Sequence, residues 1–174
     1  MADTDALFAE HQRGVFRYLC RIVGQPDAAR DLTQEVFLRV ARAGVPDTTE
    51  GGRRAWVFRI ARNLALNHLR DGHRRPQSVE LGDSAAPATQ ELAAALQQAL
   101  AALPDVERDI FLMRETAGLS YDEIAVACEL SVDAVRSRLH RARQQLRQAL
   151  DAPISQQRQG GVRIGRGDGH DEFS

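Results

Sequence analysis

The sequence predicts an all-α protein, with two small helical domains joined by a flexible linker and a helix-turn-helix in the second. Three observations carry this. Apolar residues recur at three- and four-residue steps, and no period-two strand pattern is visible. Hydrophobic residues make up 43% of the 174 while only 5% are aromatic, and Ala and Leu abound, a composition that favours helix. Between residues 76 and 89 the periodicity lapses into PQSVELGDSAAPAT, with two prolines, which reads as a linker.

The first domain, residues 1–75, should hold three helices. Leu7, Phe8, Val15, Phe16, Leu19, Ile22 and Val23 stripe the first, and Gly24 and Pro26 interrupt it. The second opens near Asp27 and runs to about Ala43, with Leu32, Val36, Phe37 and Val40 inward and Asp31, Gln34 and Glu35 on its other face. Residues 44–52 read as a loop. The third helix runs from about Arg54 to Asp71, striped by Val57, Ile60, Ala61, Leu64 and His68 with Trp56 beside them, and Gly72 and Pro76 end it.

The second domain, residues 90–152, opens with a stripe of Leu92, Leu96, Leu100 and Leu103. Pro104 marks a new first turn, and Gly118 breaks the helix that follows. Ser120-Tyr121-Asp122-Glu123 is a capping box, so a helix starts at Ser120 and ends near Cys128. Ser131 caps a longer helix whose buried face is Val135, Leu139, Ala142 and Leu146. Residues 153–174, with five Gly and almost no apolar spacing, are expected to form a disordered tail.

The formal net charge is −1, yet its distribution is uneven. Residues 53–75 hold seven Arg and one acid, residues 134–147 five Arg and no acid, and residues 76–133 eleven acids and two Arg. Two basic patches separated by an acidic stretch suggest two contacts with a polyanion, although solvated helix faces would look the same. Cys20 and Cys128 lack partners at metal spacing and read as free thiols. No Ser/His/Asp set, phosphate loop or metal cluster appears, so neither catalysis nor a cofactor or metal is expected. With no signal peptide and no apolar run near the length of a membrane span, the chain is expected to be cytoplasmic.

The sharpest local signal is residues 120–143. Ile124, Ala125, Leu130, Val132 and Val135 are spaced to pin two helices together. The second would present Asp133, Ala134, Arg136, Ser137, His140, Arg141 and Arg143, which suits the major groove; a helix pair with a basic solvent face is the alternative. On the third helix, Trp56 and Phe58 lie among arginines, as in single-strand binding, though a lone Trp is more often core and Asn63 alone is equally a surface amide. By chemistry alone Asp31, Gln34 and Glu35 read as a solvated face.

The order of segments resembles the extracytoplasmic-function (ECF) sigma factors of the sigma-70 family. Residues Asp27–Leu38 resemble that family's polymerase-binding helix, Trp56–Ala65 its −10 reading helix, and Leu103-Pro104, Tyr121–Ala125 and Val135–Arg143 its −35 reading domain. The resemblance implies promoter-directed transcription initiation. It places Asp31, Gln34 and Glu35 against the β′ clamp helices of core RNA polymerase, with the β flap as a further contact. It assigns Trp56, Arg59, Arg62, Asn63 and Arg70 to −10 DNA, with the loop at 44–53 and Asn63 holding a flipped base. It assigns Asp133, Ala134, Ser137, His140 and Arg141 to −35 base edges, and Arg136 and Arg138 to phosphates. It adds promoter DNA and an anti-sigma factor to the partners. The chain departs from the family pattern at Arg30, where an acid is common, at Asp133-Ala134, where Gly-Thr is common, and at Asn67, where aspartate is common.

Overall fold

The computed structural model describes residues 2–71 and 87–159, and all the elements among them are helices. They are α1 (Ala2–Val23), α2 (Pro26–Ala43), α3 (Glu50–Arg70), α4 (Pro87–Ala102), α5 (Asp105–Ala117), α6 (Tyr121–Cys128) and α7 (Val132–Gln159). Most of the expected linker, and residues 160–174 of the expected tail, lie outside the described residues. The backbone of α7 continues past residue 152 to Gln159.

Helices α1, α2 and α3 pack on one another, as do α5, α6 and α7, with α4 laid against α7. In the first group the core is built from Val15, Tyr18, Leu19, Ile22, Val36, Val40, Val57, Phe58 and Ala61. In the second it is built from Ile110, Leu112, Met113, Leu119, Ile124, Val135, Leu139 and Ala142. A large apolar side chain fully buried in this way contributes about 1.5–3 kcal/mol. The expected stripe of α7 is the buried one. Two aromatic assignments differ. Phe8 stays 41% exposed, with Phe37 edge-on to its ring at 4.9 Å. Phe58 is fully buried against Tyr18, with ring centroids 5.9 Å apart.

The stretch expected to be a loop through residue 52 is shorter than the glycines suggested. Thr49 caps α3, its hydroxyl accepting from the Gly52 amide at 3.1 Å, so Gly51 and Gly52 lie within the first helical turn. The cap offsets part of their poor intrinsic propensity: a Ser/Thr cap contributes about 1 kcal/mol, and each helical glycine costs up to about 1 kcal/mol. At the other end of α5, Gly118 takes the left-handed conformation (φ 67°) that lets its amide close the helix.

The two helical groups also pack against each other. Helix α1 lies along α5, and α3 lies along α6, so their apolar cores run together. Helix α5 is therefore shared: it meets α7 and α6 on one side and α1 on the other.

Candidate nucleic-acid interface

The helix-turn-helix forms where the capping box predicts it. The Ser120 hydroxyl accepts from the Glu123 amide at 3.2 Å, and the Ser120 amide donates to Glu123 Oε2 at 2.6 Å. Ile124 and Val135 are fully buried between the two helices, with Ala125 nearly so and Leu130 and Val132 packed on their margin. The turn is made by Glu129 at φ 57°, a left-handed conformation that costs a non-glycine residue about 1–2 kcal/mol. The Ser131 hydroxyl then accepts from the Ala134 amide at 3.2 Å and caps α7. Asp133, Arg136, Ser137, His140 and Arg141 share one exposed face, opposite the buried stripe; Ala134 and Arg138 are half-buried at its margin.

The arginines of α7 are not the unopposed set that their sequence neighbourhood suggests. Arg138 and Arg141 both reach Glu107 of α5 at 3.4 Å, and Arg143 reaches Glu115 of α5 at 2.8 Å. Arg136 pairs with Asp133 at 3.4 Å and lies 5.9 Å from the Tyr121 ring. Acids some thirty residues away in sequence stand one helix away in space, which counting charges along a window cannot show. Glu107 is buried, and its two arginines repay part of its desolvation.

On α3, Trp56, Arg59, Asn63 and Arg70 fall at steps of three, four and seven and so share a face. Trp56 is half-buried, Asn63 and Arg70 are exposed, and Arg59 is 42% exposed. Phe58 belongs to the core and offers no platform for a base. Arg62 does not join the open face. It is 17% exposed and points at Asp109 of α5, with Nε 2.9 Å from Oδ2. Tyr18, fully buried on α1, donates its hydroxyl to the other oxygen of Asp109 at 3.2 Å. Asp109 is 2% exposed; burial pushes its carboxyl up from the ordinary range although Arg62 and Tyr18 pull it down. Arg62 is also desolvated, but Asp109 holds its guanidinium above the usual value. The pair leaves part of the carboxylate's burial cost uncompensated.

Two further arginines join α3 to the second helical group. Arg54 donates to the Ala117 carbonyl at the end of α5 and lies 3.7 Å from Glu123. Arg59 lies 3.6 Å from Glu129.

The acidic-polar face of α2 is presented as expected for Asp31 and Gln34, both exposed. Glu35 is partly covered and pairs with Arg39 at 2.8 Å. Arg30, the basic residue before Asp31, is paired with Asp27 at 3.0 Å, so its charge is answered locally. Sequence reasoning missed the apolar flank of this face. Leu38 is 50% exposed, and Phe8, Gln12, Arg13, Phe16, Arg30, Thr33 and Gln34 line a groove of about 360 Å³ between α1 and α2. The available signal was that Leu38 lies off the inward stripe of its helix.

The two thiols are free. Burial raises both, Cys128 to about 12, so neither is a ready nucleophile. Among the described residues there is no cluster of groups that could hold a metal and no helix long and apolar enough to cross a membrane.

Residues 7–75 match the family described as Sigma-70 region 2, and residues 93–146 match Sigma-70, region 4. The chain is similar to RNA polymerase sigma-H factor of Pseudomonas aeruginosa, 32% identical over 164 residues covering 84% of this chain and 85% of that protein. It is also similar to ECF RNA polymerase sigma factor SigE of Mycolicibacterium smegmatis, 36% identical over 161 residues covering 86% of this chain and 62% of that one. Among solved structures, CnrH in complex with the cytosolic domain of CnrY superposes with a TM-score of 0.67 at 26% identity, covering 86% of this chain and 88% of CnrH.

Proposed function

The chain belongs to the extracytoplasmic-function sigma factors of the sigma-70 family, non-enzymatic subunits that direct RNA polymerase to promoters, and from that premise we propose how its helices divide the work. Helix α2 docks on core polymerase through Asp31, Gln34 and Glu35, its acids facing the β′ clamp helices and Leu38 adding apolar contact. The second domain reaches the β flap. Helix α3 takes the −10 strand on Trp56, Arg59, Asn63 and Arg70, with Arg62 joining once it leaves Asp109. Asn63 and the 44–49 loop hold a flipped base; unstacking it costs a few kcal/mol, which those contacts offset. Helix α7 enters the −35 major groove with Asp133, Ala134, Ser137, His140 and Arg141 toward base edges and Arg136 and Arg138 toward phosphates. All of this takes place in the bacterial cytoplasm, where an anti-sigma factor would cover the same faces.

The observation that carries the reading is one exposed arginine-bearing helix face in each half of the chain, each backed by a buried stripe. Either face alone binds weakly, and tethering raises the effective concentration of the second. Core polymerase sets their separation, so promoter spacing is part of recognition.

Run-off transcription with core polymerase tests this. The chain should start transcripts, and Glu35→Arg should abolish both transcription and polymerase binding. The lost pair with Arg39 and the new like-charge neighbour cost only about 0.5–1 kcal/mol together, too little to unfold the domain. Full activity in the variant would remove α2 from the polymerase interface.

A further inference from the structure

We infer that the cavity between the middle of α1, the start of α3 and the end of α5 is a binding site for a small phosphate dianion: inorganic phosphate, or the terminal phosphate of a phosphorylated metabolite. The residues that build it lie outside the faces proposed for polymerase and promoter, so the two readings stand or fall separately.

The cavity holds about 320 Å³, and three arginines line it: Arg13 and Arg17 from α1 and Arg54 from α3. Arg13 and Arg17 stand one turn apart and so share a face of α1. Both are exposed, and neither pairs with an acid among the described residues. In this they differ from Arg138, Arg141 and Arg143 of α7, which Glu107 and Glu115 answer. Arg54 is fixed in place: it donates to the Ala117 carbonyl and lies 3.7 Å from Glu123. A guanidinium carries five N–H donors, so those two contacts leave donors for a further acceptor. Guanidinium groups hold phosphate oxygens through charge-assisted hydrogen bonds, often in pairs.

A second, independent observation is an unmet hydrogen-bonding atom. His11 also lines the cavity, is only 5% exposed, and its Nε2 has no hydrogen-bond partner among the described residues. The Glu10 carboxylate stands 3.8 Å from that nitrogen, beyond hydrogen-bond distance. Buried polar atoms are normally paired, with protein, water or an ion. Burial lowers the imidazole's pKa, so the arginines supply the charge of the site, and His11 adds a directed donor when its proton is on Nε2. A phosphate oxygen in the place that Glu10 now takes would complete that bond. Glu10 is half-exposed and pairs with no arginine among the described residues, so its carboxylate swings aside at little cost.

The remaining lining is short and apolar. Gly14, Phe58 and Ala117 meet there: a Cβ on Gly14 would stand 3.6 Å from Phe58 and 3.8 Å from Ala117. A phosphate with a single substituent fits a site closed on one side. A backbone phosphodiester carries two substituents and has to continue past the site in both directions, which favours a small molecule over DNA.

The test is isothermal titration calorimetry of the full chain with sodium phosphate, at neutral pH in chloride buffer of fixed ionic strength. One phosphate per chain should bind with a dissociation constant of about 1 mM or below. Arg13→Gln with Arg17→Gln should weaken it at least about tenfold, as the loss of charged hydrogen-bond donors implies. His11→Leu should weaken it about threefold, and Glu10→Gln, which lifts a competing charge, should tighten it about threefold. A control with Arg21→Gln and Arg42→Gln removes the same charge away from the cavity and should change affinity less than about twofold. Phenyl phosphate should bind as inorganic phosphate does, and diethyl phosphate at least about tenfold more weakly. The substituted arginines are all exposed, so both double variants keep the fold, which circular dichroism verifies. No saturable heat below about 10 mM phosphate, or equal losses in the two double-arginine variants, overturns the inference. Unchanged affinity in both His11→Leu and Glu10→Gln would put the anion outside the cavity and overturn it as well. Diethyl phosphate binding as tightly as phenyl phosphate would also overturn it, and would make the cavity a contact for a nucleic-acid backbone.

Discussion

Tyr18→Phe removes one atom from the junction between the two helical groups and leaves the packing intact. The Tyr18 ring is fully buried against Phe58, so the phenylalanine ring fills the same space and opens no cavity. What is lost is the hydroxyl's bond to Asp109, which spans 91 positions of sequence. A hydrogen bond to a charged group contributes about 1.5–3 kcal/mol. At 3.2 Å this one is longer than the usual O–H···O bond, which places it at the low end. Removing a buried hydroxyl also saves its desolvation, so the net expected loss is about 1–1.5 kcal/mol, read as a lower urea midpoint at unchanged slope. A cycle with Asp109→Asn should return a coupling of about 1 kcal/mol. A linked test follows from proton binding. Asp109 titrates above its ordinary 3.8 in the fold, so its favourable contribution is complete below 3.8 and is lost as pH rises through the raised value. Tyr18→Phe takes away a donor to the ionised form and should move the folded value further up by carbon-detected NMR. A variant as stable as the parent, or a carboxyl that titrates lower, would refute the account of this junction.

Glu129→Gly should raise stability by about 1 kcal/mol, because glycine adopts the left-handed turn without the Cβ penalty and the pair lost with Arg59 is weak; a lower urea midpoint would show that pair to be worth more than its exposure implies. His11 is 5% exposed, its Nε2 has no hydrogen-bond partner, and burial lowers its pKa below 6.5 despite the nearby Glu10. Its contribution is therefore complete above 6.5 and is lost as pH falls through the lowered folded value, at up to about 1.4 kcal/mol per pH unit. His11→Leu should flatten that slope in urea titrations between about pH 8 and pH 5.5, and an unchanged slope would place the proton uptake elsewhere.

The sequence by itself determined what local chemistry decides. Ser120 and Glu123 specify a helix start within four residues, and the stripe from Val135 to Leu146 specifies which side of α7 is buried, hence which residues face out. Those signals are read within one or two turns, and neighbouring positions supply everything they need. At Gly51 and Gly52 two local signals disagreed, the Thr49 cap favouring helix and the glycines opposing it, and the folded chain is helical there. Only the tertiary structure decided how the arginines are answered. Glu107, placed by α5 beside α7, and Asp109, held by the same helix against α1 and α3, lie far from their partners along the chain. Charge acts through space, and the distance between an acid and a base is set by how helices stack. A pattern of residues along one helix fixes a face; it carries no information about what another helix brings to it.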